Sequence, residues 1–130
     1  TPFDAIAWID SKFESAVPEI GHVIIEKCSG DVIGYCQVAH GVGTKSYYLD
    51  IGYWLGQAYW RMGYASEAVR VVMDFIAFNK WTKYQTLAMV SPANAASRRV
   101  LEKCGFALLE PKPAFLKDDG MMAYEWQNGR

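Results

Sequence analysis

The spacing of apolar residues changes period several times along the chain, and each change marks an element. Behind Thr1-Pro2-Phe3-Asp4, Ile6, Ile9 and Phe13 recur at helical spacing. Thr suits the cap, Pro the first helical position and Asp the first turn, so a helix is predicted there, closed by Pro18 and Gly21. His22 to Lys27 and Val32 to Ala39 are β-branched runs around Ser29-Gly30-Asp31, a hairpin. Gly41-Val42-Gly43 loops to a third strand, Tyr47 to Leu55. After Gly63 the period returns to helical, with Ala68, Val69, Val72, Phe75 and Ile76 on one face until about Asn79. Gln85 to Val90 is almost wholly apolar, as a strand covered on both faces should be.

Asn94 can cap a further helix whose inner face carries Ser97, Val100, Leu101 and Cys104, and Gly105 stands where a terminal glycine belongs. Phe106 to Glu110 and Met121 to Gln127 read as two strands joined through the turn residues Lys117-Asp118-Asp119-Gly120, with Pro111 and Pro113 bending the first. The predicted fold is α/β: a mixed, mostly antiparallel sheet flanked by helices. One central parallel step runs from the strand ending at Leu55 to the strand starting near Gln85.

The 130 residues form one domain by length, and no repeat or linker divides residues 1–130. Thirteen basic and fourteen acidic residues leave a net charge of −1, which suits neither nucleic acid nor an anionic membrane as partner. No apolar run approaches the roughly 20 residues of a membrane-crossing helix, and no signal peptide is evident. Cys28, Cys36 and Cys104 lack a Cys-x-x-Cys pair, which argues against a disulfide framework or zinc site and points to a reduced, cytoplasmic setting. His22 and His40 stand apart from other ligand types, so no metal is expected. The chain begins with Thr, as a trimmed or excised domain would.

The chemistry concentrates between Tyr48 and Ala68, where a strand, a glycine-containing loop and a helix start follow one another. Such a start presents unpaired N–H groups and the positive end of the helix dipole, an anion site. Two familiar phosphate loops do not fit. Gly41-Val42-Gly43-Thr44-Lys45-Ser46 lacks the third glycine of a dinucleotide fingerprint and leads into a strand. Gly63 is followed by Tyr64-Ala65, where a nucleoside triphosphate loop needs Lys-Ser/Thr.

Trp60-Arg61-Met62-Gly63-Tyr64-Ala65, just before Ser66-Glu67-Ala68, resembles the pyrophosphate loop of the GNAT N-acetyltransferase superfamily, Gln/Arg-x-x-Gly-x-Gly/Ala. Asp50-Ile51-Gly52-Tyr53-Trp54-Leu55 resembles its preceding strand. Asn94-Ala95-Ala96-Ser97, continuing to Lys103-Cys104-Gly105-Phe106, resembles its Asn-x-x-Ser…Lys-x-Gly-Phe segment. The likeness covers the whole chain in order and is nearest the branch of ribosomal-protein N-terminal acetyltransferases. Trp60 departs from the superfamily's Gln or Arg, as this branch often does. The family's first strand and helix would precede Thr1 and are missing from this chain.

The resemblance implies acetyl-CoA as co-substrate and direct transfer to a primary amine, on a protein N-terminus or a small molecule. Backbone N–H groups from Arg61 to Ala65, with Trp60, Met62 and Ser66 beside them, would hold the pyrophosphate. Tyr53, Trp54 and Leu55 would pair with the pantetheine arm where the parallel strands splay, Asn94 would bond it, and Lys103 and Arg99 would supply cations. Ser97 would protonate the departing thiolate. Asp50 is the candidate base, acting through water, with Glu125 in reserve. For each of these a plainer role exists: surface charge for Arg61, Arg99 and Asp50, helix cap for Asn94, packing for Ser97. A non-catalytic acyl-CoA-binding or regulatory domain is the alternative function, and an uncovered sheet edge invites a homodimer.

Overall fold

The computed structural model describes residues 6–9 and 20–127. Its elements in chain order are β1 (Ile6–Ile9), β2 (Ile20–Ile25), β3 (Val32–Val42), β4 (Tyr47–Leu55), α1 (Tyr64–Phe78), β5 (Gln85–Val90), α2 (Ala95–Lys103), β6 (Phe106–Leu108) and β7 (Met122–Trp126). Among the described residues they form one seven-stranded sheet in the order β1-β2-β3-β4-β5-β7-β6. Every neighbouring pair is antiparallel except β4 and β5, which run parallel through the crossover helix α1. The central strands and the parallel step stand where the apolar pattern predicts them.

The N-terminal expectation is corrected. Ile6–Ile9 is not helical but an edge strand, with Ile6 opposite Ile24 and Ile9 opposite Gly21. Spacing over four residues is weak evidence of period, and Ile-Ala-Trp-Ile is rich in strand formers that can use the open backbone groups of β2. The rest of that predicted helix lies outside the described residues. The sheet edges are therefore β1 and β6, of four and three residues. Short edges of this kind resist pairing between copies, so the described sheet gives little support to a dimer built on an open edge. Three further boundaries shift. β2 is Ile20–Ile25, two residues ahead of the predicted His22 to Lys27, and takes in Gly21; β3 runs on through Gly41 to Val42, and β6 stops at Leu108, ahead of Pro111 and Pro113.

α1 packs on β3 and β4, and α2 packs against α1, β5 and β6. Ala68, Val69, Val72, Met73 and Ile76 from α1 meet Cys36, Val38, Leu49, Ile51 and Leu55 of the sheet, with Leu101, Phe106 and Tyr124 closing the core beneath α2. Val69, Ile76 and Leu101 are almost wholly buried, each worth roughly 1.5–3 kcal/mol of apolar transfer. Tyr124 ties α2 down through polar atoms: Arg98 Nε donates to its hydroxyl at 3.2 Å, and the hydroxyl donates to Glu102 at 3.1 Å.

The opposite face of the sheet is organised by register. Asp50 stands opposite Leu87, and Leu87 opposite Glu125, so the two carboxylates flank one apolar residue in a single row. Two strand spacings put their backbones about 10 Å apart. Gln85 Nε2 donates to Glu125 at 2.9 Å. Nearby, Phe115 from the long connection between β6 and β7 lies against the Tyr48 ring, centroids 5.3 Å apart.

Candidate active site

β4 and β5 pair from Tyr48–Gln85 to Ile51–Ala88, and then part. β4 continues four residues to Leu55, while Met89 and Val90 keep only their pairing with Ala123 and Met122 of β7. The gap is a cleft of about 250 Å³, lined by Gly52, Tyr53, Met89, Ser91, Asn94, Ser97 and Met121 among others. It opens beyond the carboxyl ends of the two parallel strands, where α/β sheets hold ligands.

Backbone phase decides what faces this gap. Gly56 N–H donates to Ile33 O at 2.9 Å, so residues an even number of places before it turn their amides toward β3. Tyr53 and Leu55 therefore turn theirs into the cleft. The Leu55 carbonyl is taken by the Trp60 indole N–H at 2.9 Å. Tyr53 N–H and C=O and Leu55 N–H remain as the strand-like groups that a chain of amides could use. Trp54, on the other face, is 65% exposed.

Between β4 and α1 the chain turns through a single 3-10 turn, Gln57–Tyr59, and two left-handed residues, Arg61 at φ 65° and Gly63 at φ 81°. The first helical hydrogen bond runs from Glu67 N–H to Gly63 O. The amides of Gly63, Ala65 and Ser66 thus have no acceptor within the helix, and no side chain among the described residues caps it. A Cβ at Gly63 would meet open space, so the glycine serves the left-handed turn and leaves the helix start uncovered. Trp60 and Met62 are exposed beside it. The Tyr64 hydroxyl donates to Glu26 at 2.7 Å, which fastens this loop to the β2–β3 turn and pushes the phenol up to about 12. Ser66 is buried.

α2 begins differently. Asn94 Oδ1 accepts the Ser97 N–H at 3.1 Å, as its position before the helix predicts. Ser97 is half-buried on the cleft wall, and its Oγ lies 2.6 Å from the Tyr53 hydroxyl. At the far end, Cys104 Sγ donates to Ser66 O at 3.5 Å. α2 therefore runs from the cleft wall, where Ser97 lies, to the start of α1, which Cys104 touches. The fields of Arg70 and Lys103 both act on Cys104, so both cations lie near the thiol where α2 meets α1. Arg70 was not marked by sequence, because a lone arginine on an exposed helix position carries no signal until α2 is docked. Arg99 is exposed on the outer side.

Asp50 lies outside the cleft lining, on the opposite face, beside the gap at Gly52. Desolvation pushes its carboxyl up to about 6. Cys36 is buried core with its thiol raised to about 11, and burial likewise raises Cys104. Among the described residues no three metal-ligating side chains converge.

The family model described as an acetyltransferase (GNAT) domain matches residues 1–107. The chain is 33% identical over 107 residues to the uncharacterized N-acetyltransferase p20 of Bacillus licheniformis, covering 82% of this chain and 54% of that protein. Among solved structures, an acetyltransferase from Agrobacterium tumefaciens superposes with a TM-score of 0.69 at 26% identity, covering 83% of this chain and 60% of that one. The aminoglycoside acetyltransferase AAC(6')-Ib, solved with coenzyme A and kanamycin, shares the fold at a TM-score of 0.65 and 22% identity, over 82% of this chain and 64% of that one. The chain spans about half the length of curated relatives it matches.

Proposed function

The chain belongs to the GNAT acetyltransferase family, and from that premise we propose that it moves an acetyl group from acetyl-CoA directly to a primary amine. One observation carries the reading: β4 and β5 stop pairing at Ile51 and Ala88 while both run on, which opens a cleft lined by Asn94 and Ser97 at the start of α2. Each part of the donor has a chemical match. Gly63, Ala65 and Ser66 amides suit pyrophosphate oxygens, with Arg70 and Lys103 at hand for charge. The Tyr53 carbonyl and the Leu55 N–H suit the peptide-like pantetheine arm, and the Asn94 side-chain N–H₂, not used in capping, adds a donor.

Transfer needs a neutral amine, a stabilised oxyanion and a protonated leaving group. The Tyr53 N–H, turned into the gap, supports the oxyanion. Ser97 Oγ is the proton donor to the thiolate. Asp50 takes the proton from the amine through water, and a carboxyl raised to about 6 is a better base near neutrality than an ordinary aspartate. The amine approaches from the Asp50 face through the opening at Gly52, Met89 and Met121, which keeps donor and acceptor on opposite sides of the sheet. The setting is a cytoplasmic one.

Incubation with acetyl-CoA and a panel of peptides, polyamines and aminoglycosides tests this. Release of CoA thiol dependent on one amine class is expected. Binding of acetyl-CoA with no transfer to any member would move the protein to the acyl-CoA-binding alternative.

A further inference from the structure

The Tyr53–Ser97 contact is the shortest hydrogen bond between side chains described in the cleft, 2.6 Å, and it joins residues 44 apart in sequence. A serine hydroxyl has one proton and two lone pairs. If that proton is given to Tyr53, none is left for a ligand in the cleft. If the phenol donates instead, the Ser97 proton is free to point into the cleft. The phenol is the stronger donor of the two, since it ionises near roughly 10 and an aliphatic hydroxyl far higher. Its other acceptor, Ser97 O, lies at 3.5 Å and is a poor competitor. Ser97 N–H is already held by Asn94, so the backbone at this position is fixed and the hydroxyl direction is what Tyr53 decides.

We propose that Tyr53 is the positioning residue of the transfer step: its hydroxyl donates to Ser97 Oγ, aims the serine proton at the leaving sulfur and replaces that proton as it departs. The inference rests on the acetyl-transfer reading of the cleft. When the carbon–sulfur bond breaks, its electron pair goes to sulfur, and the Ser97 O–H proton forms the S–H bond. The Tyr53 proton moves to Ser97 Oγ, and the phenolate left behind recovers a proton from water in the cleft. The amine's own proton leaves on the other side, through Asp50. No oxidant, metal or further reactant enters. Burial raises the Tyr53 phenol above its ordinary value, while the Ser97 contact pulls it back. The pair thus stays protonated at neutral pH and ready to donate.

Tyr53→Phe removes one oxygen and keeps the ring against the core. Its kcat should fall about 10- to 100-fold, within the range of one general-acid contact, with the acetyl-CoA Kd within about twofold of wild type. Ser97→Ala should lose at least as much, and the double variant should be no worse than Ser97→Ala alone, because Tyr53 acts through the serine. A merely structural Tyr53 would lower Tm and acetyl-CoA affinity together, and that outcome overturns the proposal. So does an unchanged kcat in Tyr53→Phe, or losses that multiply in the double variant. Wild-type protein that releases no CoA thiol with any amine removes the transfer reading itself, which is distinguishable because the variants then have nothing to lose.

Discussion

The two helices that follow the parallel strands begin in opposite ways, and the difference divides the labour of the cleft. α1 starts at a left-handed glycine with no side-chain cap among the described residues, so several N–H groups and the positive end of a fifteen-residue dipole are turned outward. α2 starts at Asn94, whose side chain closes the helix on itself. A glycine start costs only a few tenths of a kcal/mol relative to an asparagine one, so open N–H groups are kept here at little expense in stability. A capped start frees its first turn for side-chain chemistry, and Ser97 sits in that turn. In the proposed function, the same strand–loop–helix geometry would yield a phosphate holder in one case and a proton donor in the other. What separates them is a single residue, glycine against asparagine.

The largest expected effect comes from making the first helix start resemble the second. Gly63→Asp places a carboxylate where phosphates are held. Acetyl-CoA affinity should fall about 100-fold or more by calorimetry, with Tm lower by only a few degrees, because the space is open and the left-handed strain is modest for aspartate. Next, Ser97→Ala should lower kcat by roughly 100-fold and leave acetyl-CoA binding within about twofold, which separates chemistry from donor capture.

Asp50 sharpens the comparison on the acceptor side. As its folded carboxyl is raised to about 6 from an ordinary 3.8, kcat should rise with pH through about 6 and level off, and Asp50→Asn should lose that limb. The stability sign runs the other way. The folded state binds this proton more tightly than the unfolded chain, so ionisation costs stability; the cost is absent below 3.8 and complete above about 6. Asp50→Asn should therefore stabilise the protein at pH 8 by about 1 kcal/mol, after allowance for its half-exposed position, and have no such effect at pH 3. Smallest is Asn94→Ala. Loss of the cap should cost about 1 kcal/mol, read as a Tm lower by about 3–5 °C, with a modest fall in kcat as Ser97 loses its anchor.

Much of this geometry was legible in the sequence because it is local. Tyr47–Leu55 and Gln85–Val90 are bounded by turn residues and differ in pattern from the helix between them, so their limits and their parallel step could be read directly. Asn94 capping and the glycine at the start of α1 follow from the same short-range chemistry. Ile6–Ile9 failed because four residues cannot distinguish a period of three from chance, and what decides them is the neighbouring strand. Contacts that depend on docking were invisible. Tyr53 meets Ser97, Trp60 turns back on the Leu55 carbonyl, and Arg70 joins Lys103 only once α2 lies across the start of α1. The raised carboxyl of Asp50 is likewise a product of burial that no spacing encodes.

The central claim is that one ligand reaches from the open helix start to the splayed strand. Amide resonances followed during titration with acetyl-CoA test it most directly. The amides of Gly63, Ala65 and Ser66 should shift together with those of Tyr53 and Leu55, along one binding curve, while Ile24 and Ile76 in the core stay in place. Shifts confined to either end of the cleft, or none at all, would contradict it.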